Sequence, residues 1–325
     1  MFTRRSLMAA TAAGLASPAL AQGGYPNRAI RMLVPYAAGG GQDISARLLA
    51  EPIRAALGQP VVVENRTGAS GMIAAQALAQ SAPDGYTLML GGAGETAINQ
   101  HLFRGRMTYD PMRDLRAVMV VVKVPNVLMV NPQAPFTTVQ GLVEYAKANP
   151  GKLSYSSSGI GNPQHLAGAL FDFMAGVQTV HVPYRGSAQA VLDIAAGQVQ
   201  FGYNSLASGL PLIRDGKIRA MAVSSKERMP QLPDAPSISE YAPLANYELV
   251  NFFGVFAPAA TPDPIMQRLH EVVAAAVREP ELRGRFESQG LLVTSMNLAQ
   301  SQAFMRDEAA KFGRIVEQAS ITVES

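Results

Sequence analysis

Short runs rich in Val, Ile and Leu alternate along the chain with stretches whose apolar positions recur at helical spacing. This pattern predicts an α/β fold with parallel strands. Ile30–Pro35 reads as the first strand, running into Ala37–Gly41, with a helix over about Asp43 to Leu57. Val61–Glu64 reads as the second, followed by the loop Asn65–Gly71 and a helix through Gln80. Tyr86–Leu90, introduced by the turn Pro83-Asp84-Gly85, reads as the third and leads to Gly91–Gly94 and another helical start. Together these strand–loop–helix units make one doubly wound lobe.

A second set follows. Asn126–Val130 reads as a strand closed by Asn131-Pro132, and Lys152–Ser156 as another, leading through Ser157–Gly161 to a helix over about Pro163 to Met174. Val180–Tyr184 precedes a helix at Ala188–Ala196, and Val199–Tyr203 and Ile218–Val223 complete the strands. The proline-rich stretch Met229–Pro243 reads as a long connection. Val250–Ala257 returns the chain to the first lobe, with closing helices at Asp263–Val277 and Gln300–Ala319. The expected division is therefore residues 22–125 with 251–325 as lobe 1 and 126–250 as lobe 2. Two strand-like crossings in place of Gly/Ser linkers predict a stiff hinge.

Of the 325 residues 48% are apolar and 16% charged, a globular composition long enough for two lobes. There is no cysteine, which excludes disulfides, thiolate metal sites and a cysteine nucleophile. The four histidines show no metal-ligand spacing, so no metal or cofactor is expected. Residues 1–21 read as an export signal: Arg4-Arg5, an uncharged stretch, then Ala19-Leu20-Ala21 as a small-x-small cleavage site. Thr3–Met8 has the outline of a twin-arginine signal, with ordinary export the alternative. Cleavage near Ala21 delivers the mature chain to the periplasm. Without Arg4 and Arg5 the basic residues nearly balance the 24 acidic ones, leaving no electrostatic footprint for nucleic acid or membrane.

The candidate chemistry lies where strands hand over to helices. There the first-turn N–H groups lack intrahelical partners and the helix dipole adds about half a positive charge. The corners are Gly39-Gly40-Gly41, Gly92-Ala93-Gly94, Ser157-Ser158-Gly159, Gly186-Ser187 and Asn204-Ser205, all small and mostly neutral. If two lobes face each other, these corners converge on a small anion, most simply a carboxylate. The candidate ligand-binding set is Tyr36, Ala37, Ala38, Gly39, Gly40, Gly41 and Asp43; Ala93, Gly94, Glu95 and Thr96; Ser157, Ser158, Gly159 and Asn162; and Tyr184, Arg185 and Asn204. No catalytic residue is assigned.

Several ordered segments carry a resemblance to a known family. They are Val34–Asp43, Glu64–Gly71, Ala82–Leu88, Tyr155–Gly161, His165–Gly168, His181–Gly186, Gly197–Val199 and Phe256–Pro262. The chain resembles the periplasmic solute receptors of tripartite tricarboxylate transporters, including the Bordetella-type uptake receptors. The resemblance implies a two-lobed periplasmic binding protein, type II-like, with two doubly wound mixed sheets and a two-crossing hinge. It implies a monomeric receptor that closes on an organic acid and delivers it to membrane permease subunits. It also implies that Tyr36–Gly41 and Ser157–Gly159 hold the carboxylate, and that Asp43 organises and N-caps its loop.

The chain departs from the family's usual pattern at Ala37-Ala38, where Pro-Pro is frequent, and at Asn204, where Asp is common. At Glu95 small hydroxylated residues are usual. Facing the cleft, Glu95 favours a ligand with an amine, amide or other donor; facing solvent, it is an ordinary helix N-terminal acid. Arg185 either clamps a distal carboxylate or pairs with a surface acid. Two other classes compete. Gly92–Ala97 fits G-x-G-x-x-A, with Asp114 about 20 residues on but in a loop-like segment, the outline of a nicotinamide-dinucleotide oxidoreductase. A receptor reporting to a membrane sensor has the same binding event as one feeding a permease. His165 and His181 read as packing residues.

Overall fold

A computed structural model describes residues 24–323; the signal-peptide reading of residues 1–21 lies outside them. The first units are β1 (Ile30–Val34), α1 (Gly41–Leu57), β2 (Val61–Asn65), α2 (Met72–Ala79) and β3 (Thr87–Gly92). β1 lies parallel to both β2 and β3. A π-helical turn, Gly94–Ile98, continues into α3 (Asn99–Leu102), and Pro111–Asp114, expected as loop, forms the short α4. Asp110 starts that helix by accepting from the Met112 and Arg113 N–H groups.

The next strand, expected only from Asn126, runs from Leu115 to Val130 as β4. Val118–Val122 is buried on both faces, so no alternation marks it as strand. Pro125 cannot donate to a ladder and would weaken the middle of a paired strand. It sits instead where β4 changes partners: Leu115–Pro125 runs antiparallel to β9 (Val250–Pro258), and Asn126–Val130 pairs with β7 (Phe201–Ser205) and β8 (Arg219–Val223). Pro125 lies opposite Val250, so both segments expected to cross between the lobes lie in one ladder.

The second lobe holds α5 (Val139–Ala148), β5 (Ser154–Ser157), α6 (Pro163–Ala175), β6 (Val180–Pro183), α7 (Ser187–Ala195), β7 (Phe201–Ser205), α8 (Leu206–Arg214) and β8 (Arg219–Val223). α5 escaped the pattern reading, although Thr138 caps it by accepting from the Gly141 N–H at 3.0 Å. β5 is parallel to β6 and β7, whereas β4 is antiparallel to β7 and β8. β9 is followed by α9 (Asp263–Arg278), α10 (Pro280–Ser288), β10 (Leu292–Val293) and α11 (Leu298–Gln318), of which α10 and β10 were not anticipated. Each sheet is mixed because the crossing segments β4 and β9 run against their neighbours. Among the described residues no helix is long and apolar enough to cross a membrane.

One apolar cluster is continuous from Leu33 and Met89 in the first lobe through Phe252 and Tyr247 to Phe171 and Tyr203 in the second. A second fills the far side of the first lobe with Met32, Leu49, Val255 and Phe286. In α6 the sequence places Gly168 against the buried Tyr155 ring. A Cβ there would lie 2.2 Å from a ring carbon, and that ring is stacked on His181 at 5.0 Å. Gly168→Ala is expected to destabilise the fold by about 1–3 kcal/mol through overpacking, read as a lower urea midpoint by circular dichroism.

A candidate ligand cleft between the strand ends

The corners of both lobes meet in one narrow cleft with a free volume of about 20 Å³. Lobe 1 contributes Gly40–Asp43 after β1 and Gly92–Glu95 at the end of β3; lobe 2 contributes Ser158 and Asn162 before α6, Pro163 and Gln164 in its first turn, Ser187 at the start of α7 and Ser205 before α8. Asn251 and Phe253 of β9 complete the lining. The walls approach closely because glycine leaves room. A Cβ on Gly41 would lie 2.6 Å from Ser205 Oγ, and one on Gly94 only 3.6 Å from Asn162 Cα.

Helix α1 begins at Gly41, two residues earlier than expected, so Gly40 is the N-cap and Asp43 the third helical residue. Asp43 is therefore not the cap. Its carboxylate reaches back to the Gly39 N–H at 3.0 Å, accepts from Asn65 Nδ2 at 3.0 Å and pairs with Arg47. Burial pushes its carboxyl up, but the bonds from Arg47, Gly39 and Asn65 outweigh this and hold it below its ordinary range. Asn65 also donates to the Tyr36 carbonyl, so the β1–α1 loop is fixed from both sides.

Glu95 faces the cleft and is only 1% exposed. Its Oε1 accepts from the Gly92 N–H at 2.5 Å and Gln42 Nε2 at 3.0 Å; its Oε2 lies 3.4 Å from the Tyr36 hydroxyl. Burial pushes the carboxyl up to about 7 despite these donors. This corrects one expectation. The corner after β3 does not present its free N–H groups to a guest, because the chain's own carboxylate takes the Gly92 N–H. Thr96 is also turned away, its hydroxyl donating to the Gly92 carbonyl.

In the second lobe, Asn162 caps α6 by accepting from the His165 N–H at 3.0 Å, and its Nδ2 donates to Ser158 Oγ at 2.6 Å. Ser158 in turn donates to Gln164 at 3.1 Å. Ser157 does not reach the cleft lining. Its hydroxyl is bound to the Gly159 carbonyl at 2.9 Å and His181 Nε2 at 2.7 Å. His181 stacks on His165, ring centres 4.1 Å apart. Burial lowers His165 to about 4; burial and the neighbouring imidazole lower His181 to about 3. Both rings are packing groups beneath the corner.

The remaining candidates separate. Ala37 and Gly39 form the rim, meeting Gly186 and Ala188 across the cleft mouth, and Ala38 is exposed. Gly159, Tyr184 and Arg185 line an outer opening that shares Tyr36 and Ser158 with the inner cleft; Arg185 is exposed there. Asn204 is fully buried behind the lining, its carboxamide without a hydrogen-bond partner among the described residues. Residues missing from the candidate set are Gln42, Gly92, Pro163, Gln164, Ser187, Ser205, Asn251 and Phe253. Asn251 had a readable signal, as the polar residue at the start of an otherwise apolar strand; its Oδ1 accepts from the Ala93 N–H at 3.2 Å.

The dinucleotide outline does not assemble. The Gly92 N–H is occupied by Glu95, and Asp114 lies at the end of α4, bonded to Arg113 Nε at 2.7 Å and the Asp110 N–H at 2.8 Å. Two mixed α/β sheets with a strand-ended cleft between them define a two-lobed solute-binding protein. Residues 45–321 match the model of the tripartite tricarboxylate transporter family receptor. BugT of Bordetella pertussis is 33% identical over 94% of this chain and 93% of its own length. A protein from the tcbD–tcbE intergenic region of Pseudomonas sp. strain P51 is 36% identical over 82% of this chain and 79% of its own. Among solved structures, an R. palustris protein with adipate superposes with a TM-score of 0.89 at 35% identity, over 92% of this chain and 99% of that one. MatC from Rhodopseudomonas palustris, with bound malate, gives 0.85 at 29%, over 90% and 100%. The chain belongs to the tripartite tricarboxylate transporter receptor family, a family of periplasmic solute-binding proteins.

Glu95 keeps its proton in the fold at pH values where the unfolded chain has lost it, so its contribution is full below about 4.5 and is lost as pH rises through about 7. Relative to Glu95→Gln, the wild-type chain is expected to gain up to about 3 kcal/mol of stability between pH 8 and pH 5. Urea unfolding of both chains across that range measures the difference, and the histidine contributions cancel in it.

Proposed function

We propose that this chain is a periplasmic receptor that closes on a small organic acid between its lobes and delivers it to the membrane permease of a tripartite tricarboxylate-type transporter. The observation that carries the reading is the convergence of strand-to-helix corners from both lobes on one cleft. The starts of α1, α7 and α8 bring unpaired N–H groups and positive dipole ends to it, α6, opened by Pro163 and capped at His165 by Asn162, adds the Gln164 N–H, and the hydroxyls of Ser158, Ser187 and Ser205 stand beside them. These are the groups assigned to the carboxylate, with Tyr36, Gly40, Gly41 and Asn162. The relatives solved with adipate and malate support an acid as the ligand class.

In this reading the lobes part at residues 125/126 and 250/251, where the two crossing strands lie side by side. Residues 1–21 are removed near Ala21 on export. Both walls of the cleft come from one chain, so a monomer suffices. The protein performs no reaction; its output is a closed conformation that a permease recognises.

A thermal-shift panel of mono- and dicarboxylates, amino acids, aromatic acids and nicotinamide dinucleotides tests the reading, because a bound ligand raises apparent stability. At least one small acid is expected to raise the melting temperature; a response to a dinucleotide alone contradicts the proposal. Gly41→Ala places a methyl against Ser205 and Phe253 across the cleft. It is expected to weaken acid binding about tenfold, equivalent to 1.4 kcal/mol, with little change in the melting temperature of the ligand-free chain, as measured by calorimetric titration.

A further inference from the structure

The inner cleft is electrically one-sided. Among the described residues its lobe 2 wall carries no charge, only the neutral groups of Ser158, Asn162, Gln164, Ser187 and Ser205, and no Lys, Arg or His lines the cleft. Its lobe 1 wall carries two carboxylates. Asp43 is neutralised by Arg47 at 3.0 Å. Glu95 has no cation beside it, only neutral donors.

The two oxygens of Glu95 are used unequally. Oε1 accepts two short hydrogen bonds, whereas Oε2 has only the Tyr36 hydroxyl at 3.4 Å, long for an O–H···O bond. A carboxylate oxygen accepts about two donors, so Oε2 retains accepting capacity in a nearly dry pocket. A ligand with only carboxylate charge brings a second anion to this wall with no compensating cation, an arrangement low-dielectric surroundings penalise.

We infer that the cleft selects acids that also carry a protonated amine or an equivalent N–H donor, the carboxylate lying against the helix starts and the nitrogen against Glu95 Oε2. This deepens, and rests on, the reading that the cleft holds an organic acid. It makes Glu95 a specificity-determining residue: its negative charge is matched by the guest and not by the protein. Arg185, exposed at the outer opening, cannot serve that role for the inner cleft.

The test uses the mature chain and ligand pairs that share a carbon skeleton and differ in the amine: alanine with propionate, aspartate with succinate, glutamate with glutarate, and 6-aminohexanoate with hexanoate. Calorimetric titration at pH 8 is expected to show, in at least one pair, the aminated member binding about tenfold or more tighter. Glu95→Gln is expected to reduce that preference about tenfold or more, while circular dichroism and thermal unfolding report whether the variant is folded. The wild-type pairs alone decide the matter if it is not. If the amine-free members bind as tightly or tighter in every pair that binds, the inference is overturned and the organic-acid reading stands. A preference that survives unchanged in folded Glu95→Gln overturns it too, since the nitrogen is then recognised elsewhere. If no member of any pair binds, and no other acid does, it is the organic-acid reading that fails.

Discussion

Every α-helix begins with N–H groups that nothing inside the helix can satisfy. In this chain α1, α7 and α8 begin at the edges of one cleft, where glycine and serine leave their N–H groups uncovered by bulky side chains, and α6 begins there too, opened by Pro163 and capped by Asn162. The architecture of the site follows from that constraint. Parallel connections place strand ends and helix starts on the same edge of each sheet, and the two crossing strands turn those edges toward one another. In the proposed reading, a guest with negative charge would meet donors already held in place, so little ordering would remain to be done when it arrives.

The holding is done from behind. Asp43 ties Gly39, Asn65 and Arg47 together around the first corner, and the chain Asn162–Ser158–Gln164 fixes the corner before α6. The stacked pair His165 and His181, kept neutral by burial, supports the same corner through Ser157. The ladder of β4 and β9 runs up to Pro125 opposite Val250, which stiffens this segment. Asn251, the next residue, accepts from the Ala93 N–H, so this ladder and the cleft share a hydrogen bond.

Much of this was legible in the sequence because it is local. Strand–glycine–helix units announce themselves by composition, and the segments from Val34–Asp43 to Phe256–Pro262 carry the family pattern in order. What escaped was set by packing. The first part of β4 is buried on both faces and shows no alternation, and only the fold reveals that Pro125 falls between two ladders. The site was legible as a set of corners but not as a list of side chains. Ser157 and Thr96 have the right chemistry and point their hydroxyls into their own turns. Whether Glu95 faced the cleft depended on the π-helical turn at Gly94–Ile98, which no residue pattern announces.

Carboxylate binding by opposed helix starts in the inner cleft can be seen in atomic detail. A crystal structure of the chain with a small carboxylic acid bound measures this directly. The account predicts carboxylate oxygens within about 3.2 Å of main-chain N–H groups or serine hydroxyls at the starts of α1 and of at least one of α6, α7 and α8. A carboxylate seated on Arg185 in the outer opening, with the inner cleft empty, would contradict it.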